Sequence, residues 1–326
     1  MKINNVYIEE KVKDHPTTQM ILKRINFQNR VICNNYSEIF NPSNQSFRIQ
    51  KNYPSFILAK KESNFVKLTP KKFTIGYKNN YYFSHMMNCP FDCKYCYLQG
   101  MFNSANFLVF VNYEDFFDAI RATIHKNKGT SCFFSGYDCD SLALENITGF
   151  TKKLISNLNS FKNGCIELRS KSTNIKVLKG VKPTNTLVPA FSLNPEFVIK
   201  EFECKTPSLK QRLLSIKNLQ DMGWNIGIRF DPIIWLGNEK NYKKFFSEVF
   251  FKLNLKKIHS ITFGNFRVPV KYLKKLSKIR PNDSFIQMAS TRQNLGIKDN
   301  FIEQEGKEFC KKEILKFVDK EKLFEN

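Results

Sequence analysis

The sequence predicts an α/β protein: an open, TIM-like partial barrel of six β/α units on a parallel sheet, with one segment before it and one after. Short β-type runs alternate with amphipathic segments through the middle of the chain. Of 326 residues, 42% are hydrophobic and 14% aromatic, mostly Phe, which supports a sizeable core and excludes a disordered chain. No internal repeat, low-complexity tract or Gly/Ser linker divides it.

Residues 1–75 read as a smaller mixed extension. The barrel is expected over 76–265, its strands being Tyr81–Met87, Thr130–Ser135, Cys165–Arg169, Leu187–Leu193, Trp224–Phe230 and Ile258–Phe263. Helical patterns lie between them at Tyr113–His125, Leu144–Leu158, Pro195–Glu203 with Pro207–Met222, and Lys240–Leu253. Six such units with right-handed crossovers suit an open barrel better than the closed eight-unit form. Residues 266–326 follow as a basic extension with helices over Val268–Ile279 and Glu305–Val318. In sheets of this kind chemistry gathers on loops at the C-terminal ends of the strands. Cys89 follows the first strand, Cys139 the second, and Arg169 and Lys171 the third; Ser192 and Asn194 surround the end of the fourth, and Arg229 and Asp231 that of the fifth.

Lys and Arg number 52 against 29 Asp and Glu, a net charge of +23, so a phosphate-rich polymer is the leading partner class. The chain is also crowded with Lys, Asn, Ile and Phe, and A/T-rich coding would give the same lysine excess. No run of eighteen apolar residues exists, and charge interrupts the N-terminus before a signal region can form. The expectation is a cytoplasmic protein with no membrane partner. Nine cysteines, an odd and scattered set, do not form the paired framework of a small secreted domain.

NCPFDCKYCYLQG places Cys89, Cys93 and Cys96 at C-x3-C-x2-C on one tight loop. Three thiolates can each hold one iron of a [4Fe-4S] cubane and leave the fourth iron open. An open iron is what S-adenosylmethionine (SAM) needs, because its amino and carboxylate groups chelate there. A structural zinc site would want a fourth ligand in a second pair, and no such pair lies nearby. The motif therefore points to radical SAM chemistry on a radical SAM type of barrel.

CKYCYLQG resembles the extended cluster motif of the spore photoproduct lyase family of radical SAM proteins. The likeness continues in family order through VYIEEKV, VFVNYEDFFDAI, CDSLALENITG, FSLNPEFVIKEFE, TPSLKQRLLSIKNLQDMGW and GIRFDPII, covering most of residues 5–270. It implies a DNA-repair lyase in which a 5′-deoxyadenosyl radical removes a hydrogen from a thymine photoproduct, the bond between the bases breaks, and a cysteine returns a hydrogen. Cys139 matches that hydrogen donor. Tyr95 and Tyr97 match tyrosines that relay a radical back toward SAM; aromatic walls beside the cluster are the alternative reading. Lys171 matches a lysine paired with the SAM carboxylate, and Ser141, Ser192 and Asn194 match polar positions around SAM. Arg169, Arg229 and Asp231 fit that surround less closely, and a structural ion network reads as well. A reductant such as flavodoxin or ferredoxin is implied.

Some features depart from the family pattern. MASTRQNLGIKDNF, with Arg292 and Lys298 but no tyrosine, stands where the lyases carry an Arg/Tyr/Gly-rich hairpin. ELRSKS, FSLNPE and IRFDPII look closer to a branch from bacteria that make no spores. SGYD is a loose counterpart of the turn that meets the SAM amino group, with Asp138 as a stand-in. Arg267, Lys271, Lys274, Lys275 and Lys278 form a cationic stripe suited to DNA or simply to solvent. Two other readings stay open: radical chemistry on another nucleic-acid lesion or modification, and a nucleic-acid-binding protein with a structural or redox-sensing cluster.

Overall fold

Strands form where apolar runs can be covered on both faces. Ser131–Ser135 and Leu187–Ser192 are buried at every position, as are Phe56–Ala59 and Phe107–Phe110. The computed structural model describes residues 3–70, 73–294 and 301–325, without the side chains of 292–294 and 301–303. Six strands lie in sequence order, each parallel to the next: Asn79–Tyr82, Ser131–Ser135, Gly164–Ser170, Leu187–Ser192, Ile226–Ile233 and Ile258–Asn265. Lys67–Leu68 pairs antiparallel at one edge and Leu323–Glu325 parallel at the other, making an open eight-stranded sheet. These are the six β/α units read from the sequence.

A second sheet takes Phe27–Cys33, Ile3–Glu9 and Phe56–Ala59 from the N-terminal segment, then Phe107–Phe110 and Met86–Met87 from the middle of the chain. The expected strand Tyr81–Met87 is therefore two pieces. Asn79–Tyr82 stays in the barrel, while Met86–Met87 crosses to pair antiparallel with Phe107–Phe110. His85, at the crossing, is buried and stacks on Phe150 at 3.8 Å and 10°. The cysteine loop begins at the end of this crossing.

The helix Tyr113–Lys126 buries Phe116, Phe117, Ile120 and Ile124 along one stripe, with Glu114 and Asp115 in its first turn and His125 and Lys126 in its last, complementing the helix dipole. The expected helix Leu144–Leu158 breaks at Gly149, whose φ of +62° is left-handed. A Cβ there would lie 2.8 Å from Arg24 Nη1. Ser208 and Gln211 form a reciprocal capping box that starts the helix Leu209–Asp221 and so fixes where Arg212 lies.

In the C-terminal segment, Val270–Ile279 packs on the short helix Leu98–Met101 beside the cysteines, and Phe301–Ile314 packs on Glu239–Lys252. A separate apolar cluster joins Cys93 and Tyr95 to Phe202, Leu273, Leu276 and Phe285. Among the described residues no helix is long and apolar enough to cross a membrane.

Candidate active site

The cysteine loop is clamped from both flanks. Asn88 sits at φ +70° and its side chain donates to the carbonyls of Ser104 (2.9 Å) and Asn106 (2.8 Å). Lys51 Nζ donates to the Cys89 carbonyl, and Gln99 Nε2 to the Cys93 carbonyl at 2.8 Å. Arg48 grips both oxygens of Asp92 at 2.7 and 2.8 Å, and Arg280 reaches Asp92 at 2.8 Å and Gln99 Oε1 at 3.0 Å. Gly100 is sterically required: a Cβ there would lie 2.2 Å from the Tyr272 carbonyl oxygen. The residues after Cys96 thus hold the loop and seat the helix Val270–Ile279.

Cys89, Cys93 and Cys96 line one cavity of about 460 Å³ at the C-terminal mouth of the barrel. Among the described residues no three His, Cys, Asp or Glu side chains converge on a point that would hold a single ion. Three free thiols of one loop lining the same cavity fit a cubane with one thiolate per iron. Burial pushes the Cys89 thiol up to about 12 and raises Cys93 and Cys96 as well. Loading such a cluster would therefore release protons.

The loop after the second strand faces the cysteines. Gly136 has φ +84°, and a Cβ there would meet Ser141 Oγ at 2.6 Å and the Arg169 carbonyl at 2.7 Å. Asp140 staples this loop to the third strand: Oδ1 accepts from Ser170 Oγ (2.7 Å), Leu142 N (3.0 Å) and Ala143 N (2.9 Å), and Oδ2 from Lys171 N (2.7 Å). Cys139 is held at the cavity wall, 7% exposed. Burial, then the charges of Asp140 and Cys89, raise its thiol well above the usual range, so it keeps its S–H hydrogen. Tyr97 donates its phenol hydrogen to the Tyr137 carbonyl, locking the cysteine loop to the loop that carries Cys139.

Lys171 lines the cavity with its ammonium 5.6 Å over the Tyr95 ring. Tyr95 donates to Glu203 Oε1, which also accepts from Asn194 Nδ2 at 2.9 Å, while Arg212 Nη2 binds Oε2 at 2.5 Å. Burial opposes ionisation of Glu203, but Lys171 and Arg212 hold its carboxyl below the usual range. Its backbone pairs antiparallel with Cys93. Glu203 and Arg212, both fully buried, thus tie the middle cysteine, Tyr95 and Asn194 into one network, and neither was singled out in the sequence. The capping box before Arg212 was the available signal.

Of the polar residues expected around SAM, Ser192 lines the cavity. Ser141 lies behind it on Ser135 Oγ at 3.1 Å, and Asn194 is turned to Glu203. Asp138 does not reach the cavity: Oδ2 accepts from Ser84 Oγ at 2.5 Å, and Oδ1 is buried without a partner among the described residues. Arg229 is a buried structural cation on Glu167 at 2.6 Å, whereas Arg169 and Asp231 line the cavity. Arg267 also lines it, 3.6 Å from Asp231. Lys275 is turned inward to the Phe102 carbonyl at 2.7 Å, leaving Lys271, Lys274 and Lys278 exposed. Lys298 lies outside the described residues, as does the side chain of Arg292.

A family model described as spore photoproduct lyase matches residues 2–279. The spore photoproduct lyase of Clostridium acetobutylicum is 27% identical over 288 residues, covering 85% of this chain and 82% of that protein. That of Geobacillus sp. is 26% identical over 178 residues, 54% of this chain and 52% of the relative. Among solved structures, a spore photoproduct lyase complexed with dinucleoside spore photoproduct superposes with a TM-score of 0.78 at 17% identity, covering 99% of this chain and 98% of that one. A doubly substituted spore photoproduct lyase with bound AdoMet and the same ligand gives the same TM-score, identity and coverage. At such identity the likeness is one of fold.

Proposed function

The chain belongs to the spore photoproduct lyase family, and from that premise we propose that it is a radical SAM carbon–carbon lyase that splits a thymine photoproduct in DNA back to thymines. The observation that carries the reading is a single cavity at the strand ends, lined by Cys89, Cys93, Cys96, Cys139 and Lys171. When bound, a [4Fe-4S] cluster and SAM supply an electron and a 5′-deoxyadenosyl radical that takes a hydrogen atom from the lesion.

The three cysteines of the loop would hold the cluster, and Lys171 would meet the SAM carboxylate. Cys139 holds a hydrogen atom at Sγ within the same cavity, where it can be given to the product radical. The two tyrosines proposed to relay the radical back toward SAM differ in their surroundings. Tyr95 points its phenol hydrogen at a carboxylate, a proton acceptor; Tyr97 points its own at a backbone carbonyl, which cannot take the proton. Ser192 and Asn194 support the SAM side of the cavity, one from its wall and one through Glu203; Ser141 supports it from behind. The lesion would leave the duplex to enter, passing a rim that carries Arg267 and Phe266. The proposed setting is the cytoplasm, with flavodoxin or ferredoxin as reductant.

The test is SAM cleavage by anaerobically reconstituted protein with reductant. The expected result is 5′-deoxyadenosine formed more rapidly with irradiated than with unirradiated DNA, and none from Cys93→Ala. Equal formation with both DNA pools would move the chemistry to another substrate. No SAM cleavage by the wild type would leave a nucleic-acid-binding protein with a structural cluster.

A further inference from the structure

Two cations line the cavity from the third strand, Lys171 and Arg169. The SAM carboxylate accounts for Lys171 and leaves Arg169 over. Arg169 donates from Nε to Glu167 Oε1 at 2.9 Å, but the same carboxylate is gripped by Arg229 at 2.6 and 3.2 Å. One buried carboxylate between two guanidiniums leaves one positive charge uncompensated. Arg229 is otherwise satisfied, by the carbonyls of Ile228 (2.8 Å) and Ser260 (3.0 Å) and by the Ser260 hydroxyl (3.0 Å). Arg169 is not: its Nη2 is buried with no hydrogen-bond partner among the described residues. Leaving a charged donor without an acceptor in such a place is costly, so a ligand that brings a charged acceptor is strongly favoured.

The cavity's own acids do not meet this need. Asp140 is taken up by Ser170, Lys171 N, Leu142 N and Ala143 N, and Asp231 faces Arg267. The guanidinium of Arg169 is held in place by stacking 5.0 Å over the Phe73 ring, which itself stands 6.0 Å from Tyr137. Phe73 and Tyr137 both line the cavity, so the cation lies among flat aromatic faces of the kind on which displaced bases rest.

We infer that Arg169 reads the substrate's backbone charge, binding the phosphodiester that joins the two nucleosides of the lesion. The inference rests on the lyase reading above. With Nε on Glu167, the terminal Nη end of the guanidinium is left to meet an anionic phosphate oxygen, a stronger acceptor for a charged donor than a neutral thymine carbonyl. Arg169 is thus a specificity residue that distinguishes a lesion within a strand from the free dinucleoside.

The experiment is equilibrium binding to SAM-loaded enzyme without reductant, comparing spore photoproduct carrying its phosphodiester with the dinucleoside that lacks it. Wild type should bind the phosphate-linked ligand about 10- to 100-fold more tightly, the scale of one charge-assisted hydrogen bond or two. Arg169→Gln should remove that preference through weaker binding of the phosphate-linked ligand alone, with dinucleoside and SAM affinities unchanged. Unchanged SAM affinity also reports an intact fold. An equal loss for both ligands, or a loss of SAM binding by folded Arg169→Gln, would assign the residue to base or cofactor and overturn the inference. Absence of any phosphate preference in the wild type overturns it without reference to a variant. Binding is read without turnover, so failure to repair the lesion would reject the lyase reading and leave this comparison decisive in its own right.

Discussion

Glu203→Gln isolates the buried ion pair beneath the cysteine loop. Glu203 and Arg212 are both fully buried, and the carboxylate accepts from Tyr95, Asn194 and Arg212. The substitution keeps the shape and removes the charge, stranding a guanidinium that retains only the carbonyls of Pro207 and Ser192 and the hydroxyl of Thr206. Breaking one side of such a pair costs about 3–5 kcal/mol. Unfolding entropy of about 2.1 cal/mol/K per residue, over 326 residues, makes this a drop of about 4–7 °C in the thermal midpoint. The assay is anaerobic thermal unfolding followed by fluorescence of Trp224 and Trp235, both buried. Adding Arg212→Met, which removes the stranded charge, should recover at least half of the loss. A Glu203→Gln midpoint within about 1 °C of wild type would refute the reasoning, because a pair of that value is a solvated one.

Gly100→Ala should lower the iron bound per protein and destabilise the fold by about 1–3 kcal/mol, since the added methyl meets the Tyr272 carbonyl and must push the helix Val270–Ile279 off the loop; iron analysis and the thermal midpoint check it. Glu167 is held at about 2 against a usual 4.5: burial raises it, and Arg229 and then Arg169 more than offset that. A depressed carboxylate stabilises the fold above its unfolded pKa, and the contribution is lost as pH falls from 4.5 toward 2. Urea midpoints over that window should therefore fall steeply for wild type and less steeply for Glu167→Gln. Asp140→Asn keeps one acceptor oxygen of a carboxylate that serves four donors, so it should leave SAM cleavage largely intact while lowering the product formed per SAM consumed.

Much of the barrel was legible because its signals are local. Period and length gave the strands, and the C-x3-C-x2-C loop fell at a strand end, as chemistry on such sheets does. What stayed hidden depends on the partner rather than the residue. Tyr81–Met87 is one apolar run, yet its two halves pair in different sheets, a choice made by Ser131–Ser135 on one side and Phe107–Phe110 on the other. Leu144–Leu158 has helical period throughout, but Gly149 permits the left-handed turn that Arg24 and Met20 pack against. In the site, cysteines announce themselves by spacing, whereas Glu203 and Arg212 are ordinary charges until folding buries them against each other. Asp138 has the chemistry expected of a ligand to the SAM amino group, and only its contact with Ser84 shows that it is turned elsewhere.

The central claim is that the cavity joining Cys139 to the cluster loop splits a thymine photoproduct. The most direct measurement is restoration of thymines in an oligonucleotide carrying one spore photoproduct, with reconstituted protein, SAM and reductant, quantified by mass spectrometry. The account predicts two restored thymines per lesion from the wild type, and from Cys139→Ala continued SAM cleavage with diverted products. Clean thymine formation by Cys139→Ala would contradict the assigned donor. SAM cleavage by the wild type with the lesion left intact would contradict the claim itself.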